Sequence, residues 1–220
     1  MQWLHNFRSC YIPVRMKKVI FIVSAIFLSV GLDAQQPKVI GDCTISYLLS
    51  SSANADQGGI ASSTVYIKGK EIRVDFINNS FSQTIFYNGN LGSATILKTV
   101  GQSKYITNYT AEEWEKENEV YKGSSVSFTN NTKKILNYDC KEAVITLKNG
   151  KSYSAYFTPR LIPMVKANPF AYNDVPGLIL EYELLTDEKD KIFYTANNIN
   201  FNPVPALKFE IPKSGYRIIH

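Results

Sequence analysis

Two carboxylates, Glu181 and Glu183, are the best-spaced candidates for chemistry, in the run DVPGLILEYEL from Asp174 to Leu184. Residues two apart on a strand point to one face, and strand rise sets them roughly 6–7 Å apart. That spacing suits an acid/base pair of the kind that cleaves glycosidic bonds, which needs only two carboxyl groups about 5–10 Å apart. The pattern also has a simpler origin. Leu178, Leu180, Tyr182 and Leu184 alternate with the acids, and a half-buried strand requires polar residues on its outer side. Glu181 and Glu183 are therefore expected to be the wet face, with the four apolar residues turned to a core or cavity.

Other chemistries lack their residues. His5 lies ahead of an apolar leader and His220 is the last residue, so a histidine general base or a histidine-based zinc site has nothing to draw on. The cysteines show no C-x-x-C spacing, and the chain has no G-x-S-x-G elbow, P-loop or G-x-G-x-x-G. The expectation is a protein without catalytic residues, metal or cofactor. Aromatic residues make up 13% of the chain. They could bind carbohydrate or protein through exposed rings, although filling a β-rich core is the commoner use.

The elements that would position such residues are mostly strands. In EIRVDF, Ile72, Val74 and Phe76 share one face and Arg73 and Asp75 the other; Val65 and Ile67 precede them across a turn at Gly69, which makes a hairpin. TIFYNGNLGSATIL repeats the design around Asn88-Gly89. In AVITLKNGKSYSAYF, Asn149-Gly150 predicts a type I′ turn, with positive φ at both residues. IFYTANNINF predicts one more strand and ALKFEI another. The pattern TAEEWEKENEV predicts a short helix, with Thr110 and Glu113 as a capping box and Trp114 as its anchor to the sheet. SSSANADQGG, residues 50–59, reads as a polar Gly/Ser-rich loop or a flexible hairpin tip. Residues 158–177 hold Pro159, Pro163, Pro169 and Pro176, which forbid a regular central strand and suit a lid, binding loop or crossing segment with a helical turn. About nine to eleven strands joined by hairpins make an antiparallel meander that curls. The expected fold is mainly β (α+β), a half-barrel sheet with one or a few short helices covering it.

Residues 1–34 read as an N-terminal extension and a cleaved signal peptide. Lys17 and Lys18 precede a 14-residue apolar run, Val19 to Leu32, too short to span a bilayer comfortably. Leu32 and Ala34 suit a processing site, which leaves residues 35–220 as a single β-rich domain; the first fifteen residues read as an upstream mis-start. A membrane anchor is the alternative. Without residues 1–34, Lys+Arg falls from 24 to 20 and Asp+Glu from 19 to 18, so net charge falls from +5 to +2. No Lys/Arg block remains, which argues against nucleic acid as a partner. Cys43 and Cys140 survive processing. In an oxidising compartment they would either form a bridge, worth about 4–5 kcal/mol for so long a loop, or stay buried as thiols.

NYDCKEAVITLKNGKSYSAYFTPRL followed by VPGLILEYEL resembles the GLPGLI family of exported bacterial envelope proteins. The resemblance rests on Cys140, Lys141, Ala143, Tyr156-Phe157-Thr158 and the motif Pro176-Gly177-Leu178-Ile179. Asp174-Val175 stands where the family has Gly-Leu, so the chain would be a divergent member. That family carries no assigned activity and is similar to the lipoprotein-carrier (LolA-like) group. The resemblance implies a periplasmic or outer-envelope location and a curved, incomplete barrel with an apolar cavity. Its ligand would be a lipid or another hydrophobic group, lined by Ile72, Val74, Phe76, Leu178, Leu180, Tyr182 and Leu184. A protein-interaction module of the envelope is the rival reading, a carboxylate-only hydrolase a distant third, and the oligomeric state stays open.

Overall fold

In the computed structural model, residues 36–51, 61–185 and 191–219 are described. The leader and most of the 50–59 loop lie outside them. Strand β1 is Lys38–Ile40, β2 Asp42–Ser51, β3 Ser62–Lys68, β4 Glu71–Ile77, β5 Phe81–Asn88, β6 Ser93–Val100 and β7 Ser103–Tyr109. The one α-helix among the described residues, α1, is Ala111–Glu117; then come β8 Ser125–Ile135, β9 Tyr138–Thr146, β10 Ser152–Thr158, β11 Leu161–Pro163, β12 Leu178–Leu185, β13 Lys191–Asn200 and β14 Arg217–Ile218. The capping box of α1 forms as its sequence requires: Glu113 N donates to Thr110 Oγ1 at 3.3 Å and Thr110 N to Glu113 Oε2 at 2.8 Å. Trp114 meets Tyr109 of β7 at 5.4 Å between ring centroids.

Twelve strands form one sheet in the order β14-β7-β6-β5-β4-β3-β2-β13-β12-β10-β9-β8. Its terminal strands, β14 and β8, do not pair with each other, so the sheet curls without closing. Register shifts between Phe128 and Thr132, Tyr156 and Phe157, and Ala196 and Asn198 bend it locally. β1 and β11 form a separate parallel pair. Alternation decides the buried face. Cys43, Ile45 and Tyr47 of β2, Val65 and Ile67 of β3, and Ile72 of β4 are all buried in one cluster with Leu178 and Leu180.

Several local expectations need correction. In the Asn149-Gly150 turn, only Gly150 takes positive φ, 83°. Gly150 N donates to Leu147 O at 2.9 Å, so an ordinary turn ends in a left-handed glycine, the three-residue alternative to a type I′ loop. The two-residue turn with both φ positive is Leu136-Asn137, at 49° and 65°, between β8 and β9. A leucine there costs about 1–2 kcal/mol, and Leu136 packs against the main core, which offsets it. ALKFEI is not a strand: Ala206–Phe209 is a 3₁₀ turn. Pro205 opens it, and the chain around it straps the outer face of the sheet. Lys68 Nζ donates to Val204 O at 2.8 Å, Arg73 Nη1 to Lys208 O at 2.7 Å, and Tyr216 packs on Phe86, Leu97 and Ile106. β1, β2, β7, β8, β11 and β14 have no counterpart among the expected strands.

The inner face is roofed mainly by the proline-rich segment, and not by α1. This segment is a packed crossing: Ala171, Tyr172 and Val175 are buried with Ala143, Ile145, Tyr153, Ala155 and Phe157. Its helical turn is a single one, Tyr172 N to Asn168 O at 3.2 Å, with Asn168 Oδ1 accepting from Ala171 N at 3.0 Å. Where it rejoins the sheet, Gly177 passes so close to β10 that a Cβ there would lie 2.3 Å from Thr158 O and 3.0 Å from the Phe157 ring. The obstacle is backbone, which cannot rotate away. Gly177→Ala is therefore expected to destabilise the protein by about 1–3 kcal/mol or more, read by urea unfolding. A loss below about 0.5 kcal/mol would mean that β10 and the crossing segment move apart freely.

Candidate functional site

Between the inner face and the roof lies a cavity of about 390 Å³, within the range of small-molecule sites. Ile45, Val65, Ile67, Val74, Phe76 and Ile85 give it an aliphatic and aromatic wall from β2 to β5. Leu178, Ile179, Tyr182 and Leu184 of β12 and Tyr194 of β13 continue that wall. Pro163, Lys166, Ala167, Asn168 and Tyr172 come from the roof, and Tyr121 from the 3₁₀ turn after α1.

One end of this cavity is built of stacked phenols. Tyr182 lies flat on Tyr194, with centroids 4.6 Å apart and 9° between planes, while Tyr47 and Tyr172 meet Tyr182 at 5.7 and 5.8 Å. Tyr47 Oη donates to Ile179 O at 2.8 Å. Burial, with the neighbouring phenols adding, pushes the Tyr172 and Tyr182 hydroxyls well above their ordinary range. They stay neutral at physiological pH and act as hydrogen-bonding walls, not as bases. At the roof, Asn168 and Tyr121 both line the cavity. Lys166 Nζ donates to Asn173 O in the same segment.

Of the residues expected to line a ligand site, Val74, Phe76, Leu178, Tyr182 and Leu184 stand in the cavity wall. Ile72 and Leu180 do not line it; they are buried in the main core cluster. The motif residues divide by task. Leu178 and Ile179 line the cavity, Gly177 permits the close crossing at Thr158, and Pro176 is exposed beside it. Roof residues Lys166, Asn168 and Tyr172, and Ile45 and Tyr47 of β2, escape a sequence reading. The β2 residues carry a period-two signal in CTISY; the roof residues carry none, because an irregular segment has no period.

Cys43 and Cys140 are free thiols, both buried in the main core cluster. Desolvation first, and Asp42 second, pushes Cys43 up to about 12; desolvation likewise pushes Cys140 to about 11. Neither thiol supplies a thiolate nucleophile at neutral pH.

Glu181 and Glu183 point away from the cavity, as alternation requires, but they are not the wet face. They are 9% and 7% exposed. Lys133 Nζ reaches both oxygens of Glu181 at 2.7 and 2.6 Å, and Thr195 Oγ1 donates to it at 2.9 Å. Glu183 accepts from Ser154 N at 2.9 Å and Lys191 Nζ at 3.0 Å. The stems of the two lysines cover what alternation alone would leave in water. A second groove of about 280 Å³ on this side includes Glu142, whose carboxyl is held low chiefly by hydrogen bonds from Thr129 and Asn131. Each acid here is held by donors from other strands, so together they tie β8, β10 and β13 to β12 and β9. Among the described residues, no group of three or more His, Cys, Asp or Glu could hold a metal ion.

No protein-family profile and no curated protein matches the chain. Solved structures do match. The structure of PNGF-II aligns with 80% of this chain at 16% identity and a TM-score of 0.51; the chain spans 30% of that protein's length, and the likeness concerns the fold alone. MucB in complex with MucA(peri) aligns over 78% of this chain and 54% of its own at 8% identity and a TM-score of 0.41. A LolA superfamily protein from Nitrosomonas europaea aligns over 77% of this chain and 90% of its own at 9% identity and a TM-score of 0.32.

Two results are expected of this site. Both buried thiols should resist Ellman's reagent at pH 8 in the native protein and titrate in full under guanidinium without reductant; a missing pair would establish a bridge. Glu181→Leu removes the partner of Lys133 and Thr195 and is expected to cost about 1–3 kcal/mol in denaturant unfolding. It should leave the affinity for an apolar fluorophore within about twofold, a margin under ~0.5 kcal/mol. Loss of fluorophore binding in a folded variant would place the acids in the site.

Proposed function

We propose that this is an exported cell-envelope protein, a divergent member of the GLPGLI family. Its half-barrel holds an apolar ligand, a lipid or acyl chain, and carries out no catalysis. The observation that supports this reading is the roofed cavity of about 390 Å³, walled by aliphatic side chains and neutral tyrosines. Each methylene moved from water into such a wall contributes about 0.8 kcal/mol, so about eight would supply roughly 6 kcal/mol before ordering costs. The apolar leader expected at residues 19–32 provides the export. Native mass spectrometry of protein purified from its own envelope tests the reading, together with titration by fluorescent fatty acids. Adduct masses in the lipid range, or micromolar binding that Val74→Trp weakens at least tenfold, are expected. A clean apo mass with no fatty-acid binding would overturn it.

The rival is a protein-interaction module using an open sheet edge. β8 favours it, being an eleven-residue terminal strand with Phe128 53% exposed. The bulge between Phe128 and Thr132 interrupts that edge and weighs against a long added strand. A stoichiometric protein partner recovered from membranes without lipid would favour this rival.

A further inference from the structure

Among the described residues that line the cavity, Lys166 is the only one with a charged side chain. Its position is unusual for a surface lysine. Desolvation lowers its pKa, and Asp174 opposes that from the same segment. Yet no carboxylate among the described residues lies within ion-pair distance of its Nζ. The ion pairs of this region go elsewhere, to Lys133 and Lys191 on the other side of β12. Asp174 Oδ1 instead accepts from Asn173 Nδ2 at 3.1 Å. Lys166 donates to the carbonyl of Asn173. An ammonium has three donors, so two remain. Asn168 and Tyr121 share the lining with it and supply further neutral polar groups. Below this polar roof the wall is apolar, with Val74, Phe76 and Leu178.

From this arrangement we propose that the ligand is an anionic amphiphile, with its chain against the sheet and its carboxylate or phosphate head on Lys166. The inference rests on the apolar-ligand reading above and adds the head group's charge. A half-desolvated cation with no carboxylate within ion-pair distance gains most from an anion, and a charge-assisted hydrogen bond there is about twice as strong as a neutral one. A neutral head would leave two ammonium donors without an anionic acceptor, and a cationic head would be repelled.

Isothermal titration with dodecanoate, dodecyl phosphate, dodecanol and dodecyltrimethylammonium, all below their micellar concentrations, tests this. At least one anionic ligand is expected to bind tenfold or more tighter than dodecanol, and the cation weakest. The ratio between dodecanoate and dodecyl phosphate shows which head the site prefers. Lys166→Met should abolish the difference in affinity between the anions and dodecanol; Lys166→Arg should keep the preference. Equal binding of anion and alcohol by the unmodified protein would overturn the head-group assignment and leave the apolar-ligand reading intact. A preference that survives in Lys166→Met would do the same. No binding of any of the four would overturn both.

Discussion

The architecture depends on one close contact, the passage of Gly177 over the end of β10. A side-chain atom at that position would sit 2.3 Å from Thr158 O, so two backbones share a space that any other residue would fill. This contact lets the proline-rich segment re-enter the sheet as β12 after crossing the inner face. Without it the roof could not lie down, and the apolar side chains of β2 to β5 would face open solvent. Gly89 plays a smaller part at the other side, where its N–H donates to Lys70 O at 2.8 Å and a Cβ would lie 3.3 Å from the Val165 side chain in the roof.

Around that roof the sheet separates two kinds of polar chemistry. Beyond β12, charged groups are paired and covered: Glu181 with Lys133, Glu183 with Lys191. In the cavity, the polar groups are neutral phenols, amides and the Ser63 hydroxyl apart from Lys166. A buried ion pair costs desolvation and returns little net stability, yet breaking it is costly. The two pairs therefore act mainly as ties that hold strands distant in sequence in one register. On the outer face of β4 to β7, the C-terminal strap covers Phe86, Leu97 and Ile106 with Tyr216, and Arg73 lies 5.4 Å from the Phe86 ring centroid. Both faces of the sheet are thus partly covered, one by a strap and one by a roof enclosing space.

Short-range signals carried much of this. The alternation of Ile72, Val74 and Phe76, the Asn88-Gly89 turn and the Thr110/Glu113 capping box all lie within a few residues, where local sterics and hydrogen bonds decide the outcome. β8 was illegible because SVSFTNNTKKI has no apolar alternation; most of it is exposed, and its pairing with β9 is what holds it. ALKFEI alternates like a strand, but Pro205 and the strap's hydrogen bonds made it a 3₁₀ turn.

Local pattern was enough to read a mainly β chain, the hairpins from Val65 to Leu97 and around Asn149, and which side of β12 carries the leucines. Each follows from a period of two and from turn chemistry, which are local properties. Packing between distant strands was needed to see that Glu181 and Glu183 are covered, that Ile72 and Leu180 fill the core and not the cavity lining, and that Lys166 stands in the roof. Burial depends on what other strands bring, and here the covering groups lie 48 residues before Glu181 at Lys133 and eight after Glu183 at Lys191. Lys191 comes from the neighbouring paired strand, but no short window contains Lys133, which only the assembled sheet brings from β8.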